Sequence, residues 1–215
     1  MLILYLQQKE PPLEYTYGEF DIPFFALLLD TIEKRRGASL DGCVFCDIGA
    51  GSGRLVLTAS ALYDWKECRG IEILEGIYQH SVDLLSSCQT DDNYYLPSNQ
   101  HNSKQLSNIN LQLGSFTDPY ITLHDIDIFF VFSSCMSKEI LQSLAESLGR
   151  QVKVGSYIIT TDYPLPLNGI VGKSLEEDEN VPFGGEYNFE IVDVIDGDCA
   201  ITGMCGMYLL HVLIF

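Results

Sequence analysis

An acid, three alternate glycines and a second acid form the one group of residues in this chain whose types and spacing could do chemistry. Asp47 ends an apolar segment and is followed by Gly49, Gly51 and Gly53; Glu72 closes the next apolar segment, Cys68-Arg69-Gly70-Ile71. Glycine lets a backbone turn tightly and approach a ligand with no Cβ in the way. An acid at the end of a following strand can accept hydrogen bonds from both hydroxyls of a ribose. Strand, glycine turn, helix, strand, acid is the layout of a nucleoside-cofactor site.

The acid before the glycines narrows the ligand. A GxGxxG turn offers helix N-terminal amides to a pyrophosphate. Here the spacing is GxGxG behind Asp47, whose carboxylate would repel a pyrophosphate and suit the ammonium of an amino acid. S-adenosylmethionine carries such an ammonium beside a ribose with two free hydroxyls, so the pattern favours it over a dinucleotide.

These residues need elements to hold them. Asp21 and Pro23 open an amphipathic helix over residues 22–36, and Gly37 stops it. Residues 43–47 read as the first strand, 53–63 as its helix, 68–73 as the second strand and 75–88 as a second helix. Residues 89–108, rich in Asn, Gln, Ser and Asp, read as a flexible surface insertion. A third strand over 108–113 ends at Gly114-Ser115-Phe116. The run 127–132 is apolar throughout its centre, the mark of a central parallel strand. A helix over 136–149 and a fifth strand over 155–161 follow. Beyond an acidic loop at 176–180, the β-rich runs 187–194 and 207–215 read as an antiparallel pair at the sheet edge. Alternation of strand and helix with a terminal hairpin gives the expected fold: a doubly wound, Rossmann-like α/β sheet of seven strands. Right-handed crossovers would gather Asp47, Glu72, Ser115-Phe116 and Ser133-Ser134 at the C-terminal strand ends. The reading divides the chain into an N-terminal lead-in and cofactor-closing segment, 1–36, and a catalytic domain, 37–215.

Composition bounds the partners. With 12 basic against 30 acidic residues, the net charge is −18. That opposes unaided binding to a nucleic-acid backbone, which needs Lys and Arg, and suits a basic protein or a neutral small molecule. No apolar run reaches the roughly 18 residues of a membrane-spanning helix. Seven cysteines in no framework spacing suggest a reducing compartment, so cytoplasm or nucleus. Cys43 and Cys46 form a C-x-x-C, but on a strand they would face opposite ways. The four histidines are scattered, and no metal is expected.

From Tyr17 to His211 the chain resembles the class I S-adenosylmethionine-dependent methyltransferases. Within them it is most similar to the non-SET histone-lysine methyltransferases named for disruption of telomeric silencing. The blocks that carry the resemblance are Tyr17-Gly18-Glu19, Asp47 through Gly53, Gly70-Ile71-Glu72, Gly114-Ser115-Phe116, Ile128 through Ile140, Tyr163 through Leu167, and Thr202-Gly203 with Tyr208 and His211. The resemblance implies that Tyr17 and Glu19 close over the cofactor. Asp47 and Gly49 would face its methionine part, Glu72 its ribose and Phe116 its adenine, while Tyr208 lines the acceptor channel. Where the family has an acid, this chain has Ser115. Its asparagine pair after the fourth strand is Phe132-Ser133 here, a channel tryptophan is Ile201, and the threonine after Tyr-Gly-Glu is Phe20. Tyr17, Tyr208 and Ser133 are thus the candidates nearest the reacting atoms, and Ser115 and Phe132 join the cofactor-contacting set. The basic tracts with which the family binds nucleosomes are absent. Three functions fit: methylation of a lysine on a basic protein, methylation of a small molecule, or cofactor binding without turnover.

Overall fold

A computed structural model describes residues 20–90, 108–170, 186–198 and 205–214, with backbone alone at 89–90, 170, 198 and 205–209. Tyr17, Glu19, Ile201, the acidic loop at 176–180 and all but the ends of the polar insertion lie outside the described residues.

Helix α1 (Ile22–Arg36) forms where local chemistry dictates it. The Asp21 carboxylate accepts the Phe24 amide at 2.8 Å, Pro23 sits in the first turn, and left-handed Gly37 closes the last. Phe25, Leu28, Leu29 and Ile32 recur at helical spacing and are all buried. Then follow β1 (Val44–Ile48), α2 (Arg54–Leu62), β2 (Glu67–Glu72), α3 (Glu75–Thr90), β3 (Ile109–Leu113), β4 (Ile128–Val131), α4 (Lys138–Gln151), β5 (Tyr157–Thr161), β6 (Asn168–Ile170), β7 (Glu186–Asp198) and β8 (Cys205–Leu213).

The strands form one sheet in the order β3-β2-β1-β4-β5-β8-β7-β6. The first five pair in parallel, while β8 runs antiparallel to β5, β7 to β8, and β6 to β7. Doubly wound topology and terminal hairpin are as the sequence implies, with an eighth strand added. The chain leaving β5 makes a three-residue strand, Asn168–Ile170, which takes the outer edge and covers β7. A segment that short, with a central glycine, shows no alternation to read.

Strand parity sorts the core onto the two faces of the sheet. Val44, Cys46 and Ile48 pack with α4, whereas Cys43 and Phe45 pack with α1 and α2. The C-x-x-C pair is therefore split between two cores. On the α1 side, Phe25 meets Phe45 and Phe130 edge-on at 5.8 and 5.6 Å, and each such fully buried ring contributes about 1.5–3 kcal/mol.

One glycine ties this sheet to the turn above it. Gly70 pairs with Asp47 on one side and Leu111 on the other. A Cβ there would stand 2.9 Å from the Ala50 Cβ, 2.9 Å from Leu111 and 3.0 Å from Val56. Gly70→Ala is expected to destabilise the protein by about 1–3 kcal/mol, the cost of overpacking a close contact. Urea denaturation would read this as a lower midpoint at constant slope. An unchanged midpoint would mean that the turn carrying Ala50 yields freely.

Candidate cofactor site

At the C-terminal ends of β1 to β4 lies a cavity of 470 Å³. Asp47, one residue short of the end of β1, and Glu72, the last of β2, open into it. So do Gly49 and Gly51, then Gly114, Ser115 and Phe116 after β3, and Phe132 after β4. The structure thus brings seven of the residues expected from sequence, Asp47, Gly49, Gly51, Glu72, Ser115, Phe116 and Phe132, around one space.

The turn is built by hydrogen bonds to β2. Gly49 and Gly51 have φ of +82° and +56°, a left-handed backbone open to glycine at little cost. This conformation lets the Gly49 and Ala50 amides both donate to the Ile71 carbonyl, at 2.8 and 3.0 Å. The Gly51 amide donates to Glu72 Oε2 at 2.9 Å, and the Leu74 amide donates to Oε1 at 2.8 Å. The Gly53 amide turns back to the Ala50 carbonyl. Four amides of the turn are therefore committed to acceptors within the protein. That is the opposite of a pyrophosphate cradle, where such amides face the ligand. Each Glu72 oxygen keeps further lone-pair capacity for a ligand hydroxyl.

Asp47 is in a different position. It is 4 % exposed, with Glu72 beside it at 7 %. Burial, with the neighbouring Glu72 charge second, raises the Asp47 carboxyl from 3.8 to about 7. What would relieve it is a cation delivered into the cavity. The cradle and the donor set thus fit S-adenosylmethionine: open glycine backbone, a carboxylate in need of an ammonium, and a braced carboxylate with spare acceptor capacity.

Two expected residues do other work. Gly53 does not line the cavity. It caps α2 at φ +77°, and the side where a Cβ would project faces Ser81 and Leu111. Ser133 is fully buried and also absent from the lining. Its hydroxyl donates to the Thr161 carbonyl at 2.5 Å, lies 3.1 Å from that of Tyr163, and accepts the Thr161 amide at 2.9 Å. Ser133 is a clamp between β4 and β5 and does not reach the cavity. The backbone of β8 sets Tyr208 opposite Thr161, level with the C-terminal end of β5.

The sequence reading missed part of the wall. Phe20 lines the cavity, 4 % exposed, with its ring 5.0 Å from Phe130 and 6.5 Å from Phe132, edge-on to both. Ile73, Leu74 and Ile77 close the β2 side, and Met136, Glu139 and Ile140 the α4 side. A signal existed for Ile77 and Ile140, apolar residues in the first turns of the helices that follow β2 and β4. Among the described residues, no group of three or more His, Cys, Asp or Glu side chains is placed to hold a metal ion, and no helix is long and apolar enough to cross a membrane.

The Asp47 shift has a thermodynamic consequence. A carboxyl whose folded pKa exceeds its unfolded value stabilises the fold only while protonated, so stability falls as pH rises from 3.8 to about 7. The shift corresponds to on the order of 4 kcal/mol. Asp47→Asn is expected to gain a sizeable part of that at pH 8 in the ligand-free protein and to flatten the fall between pH 5 and 7. Urea midpoints across that range test it, and parallel curves for the two proteins would show that Asp47 titrates normally.

Comparison with known proteins agrees with this geometry. The fold is similar to an RNA methyltransferase from Salinibacter ruber solved with S-adenosyl-L-homocysteine, at TM-score 0.55 and 12% identity over 87% of this chain and 91% of that one. It is similar to an S-adenosylmethionine-dependent methyltransferase from Clostridium acetobutylicum at TM-score 0.57 and 10% identity, covering 92% and 94%. It is also similar to the B. subtilis M1A22 tRNA methyltransferase TrmK at TM-score 0.56 and 12% identity, covering 92% and 67%. At such identities the likeness is one of fold. No curated protein matches the sequence. The profile of the histone methylation protein DOT1 family matches residues 5–212, nearly the whole chain, and this protein belongs to that family of S-adenosylmethionine-dependent methyltransferases.

Proposed function

We propose that this methyltransferase acts on a lysine of a basic protein in an intracellular compartment. The observation that carries the reading is the cavity wall itself. Phe20, Phe130 and Phe132 line the same cavity as Asp47 and Glu72, with Phe130 paired to Asp47 across β4 and β1.

Bound there, S-adenosylmethionine supplies an electrophilic methyl group on a sulfonium. Asp47 would hold its ammonium, Glu72 its ribose hydroxyls, and Phe116 with Ser115 its adenine; Gly49 and Gly51 give the backbone room to pass close by. Phe20, Phe130 and Phe132 offer the acceptor an apolar surface that excludes water. A lysine must lose its proton before it attacks, and from a pKa near 10.4 that costs about 4.6 kcal/mol at pH 7. An apolar wall disfavours the ammonium and lowers this cost. None of these rings is a base, so the proton leaves to solvent before the acceptor is enclosed. The remaining task is alignment of nucleophile and methyl, a proximity effect. The family is one of histone methylation proteins, and a net charge of −18 attracts a cationic protein. Tyr17, Glu19 and Tyr208 complete the reading as cofactor-closing and channel residues.

Two measurements test it. In calorimetry, S-adenosylmethionine is expected to bind with micromolar affinity. Asp47→Ala and Glu72→Ala should each weaken binding about tenfold or more, the scale of losing a hydrogen bond to a charged group. Because the carboxyl near 7 must be ionised to receive an ammonium, binding at pH 6 should release a proton and tighten towards pH 8. Tritiated methyl groups should then pass to core histones and not to bulk tRNA or a metabolite extract. Label in RNA or metabolites alone would overturn the choice of acceptor. Absence of cofactor binding by the folded protein would overturn the reading of the site.

A further inference from the structure

Asp162 directly follows β5 and is the one non-glycine residue with positive φ, +59°, among those described. Its conformation is imposed from both sides. The Ser133 hydroxyl reaches the carbonyls of Thr161 and Tyr163, the residues flanking Asp162. The Thr161 hydroxyl holds Ser134 through its amide, at 3.2 Å, and its hydroxyl, at 2.8 Å, and the Tyr163 amide donates to the Thr161 carbonyl at 2.6 Å. This much bonding fixes the backbone on both sides of half-buried Asp162, beside the turn that supplies Phe132, Cys135 and Met136 to the cavity. Strained backbone that its surroundings over-determine concentrates at functional sites.

Asp162 also stands on a particular side. Residues suited to the cofactor come from the ends of β1, β2 and β3, whereas β5 lies beyond β4 in the sheet. Next to Asp162, Tyr163 is 52 % exposed, a ring held open to solvent at the same strand end. Burial first, and the charge of Asp162 second, push the Cys135 thiol up, so the field of this carboxylate reaches a cavity-lining residue.

We propose that Asp162 is an acceptor-positioning residue: its carboxylate, with the Tyr163 ring beside it, receives a basic side chain adjacent to the residue that is methylated. The inference rests on the reading of this protein as a methyltransferase of basic proteins. The carboxylate serves a flanking side chain and not the reacting one, since an acid at the reacting amine would oppose its deprotonation. A guanidinium or ammonium held over Tyr163 gains from the ring face as well as from the acid. Turn geometry alone does not require an acid. Asparagine and glycine accept the same left-handed backbone, and neither carries the charge.

The test measures fluorescence anisotropy of a fluorescein-labelled peptide of alternating Lys, Ser and Arg against wild type, Asp162→Asn and Asp162→Gly. Glu190→Gln is the control. Glu190 is exposed and pairs with Val212, which pairs with Tyr157 at the opposite end of β5. Both Asp162 variants accept the backbone and should keep the wild-type urea midpoint or exceed it. They are expected to weaken the peptide about 3- to 10-fold at low salt, the scale of one partly exposed charge-assisted contact, with the control changing less than about twofold. Wild-type peptide affinity in Asp162→Asn, an equal loss in the Glu190 control, or no peptide binding by wild type would each overturn the proposal. S-adenosylmethionine affinity should be the same in all four proteins. Failure of that titration in wild type would strike the cofactor reading, while the peptide result still reads Asp162.

Discussion

Two carboxylates stand at the C-terminal ends of adjacent parallel strands, one at the last residue and one a residue short of it, almost out of reach of water, and the site depends on how differently the protein treats them. Glu72 is braced: one oxygen takes the Gly51 amide and the other the Leu74 amide, so the acid is a strut between the glycine turn and the β2–α3 turn. Asp47 sits against it with burial and a neighbouring negative charge, and its carboxyl rises to about 7. The asymmetry divides the labour. Glu72 gives the turn its shape before any ligand arrives, which is preorganisation. Asp47 carries a destabilisation that a ligand cation would remove, so binding energy and stability are linked through one residue.

The same turn shows why the glycines cannot be read as a generic phosphate loop. Its amides run to Ile71, Glu72 and Ala50. Gly70 permits this by letting Ala50 settle onto β2 with no side chain between. The ligand therefore meets side-chain carboxylates and bare glycine backbone in place of a ring of amide donors. That arrangement suits a cationic amino-acid moiety and a ribose better than a pyrophosphate.

What was legible in the sequence was what local chemistry decides. Asp21, Pro23 and Gly37 bound α1 to the residue, because capping involves neighbours three or four positions away. The apolar run of β4 marks a central strand because both of its faces are covered. Placing Ser133 and Gly53 at the right loops was equally within reach. Which way those loops present them was not, since it depends on partners distant in the chain: Thr161 and Tyr163 for Ser133, Ser81 and Leu111 for Gly53. The position of β8 between β5 and β7, and the short edge strand β6, are likewise long-range pairings that local propensity does not encode. Phe20 belongs to the same class, because its place in the wall comes from rings on β4 and just beyond it.

Aromatic packing then links the two halves of the site. Phe130 meets both Phe25 of α1 and Phe20 edge-on, and Phe20 in turn meets Phe132. Phe20 is thus anchored in the cavity wall, and α1 begins two residues later from the Asp21 cap. Any movement of Phe20 changes the surface offered beside Phe132 and loosens the entry to α1 together. The Ser133 clamp holds the other flank of Phe132 against β5. Phe132 is consequently set between a core-anchored ring and a hydrogen-bonded turn. A surface fixed from both sides can exclude water from a bound acceptor at no cost of ordering when it arrives.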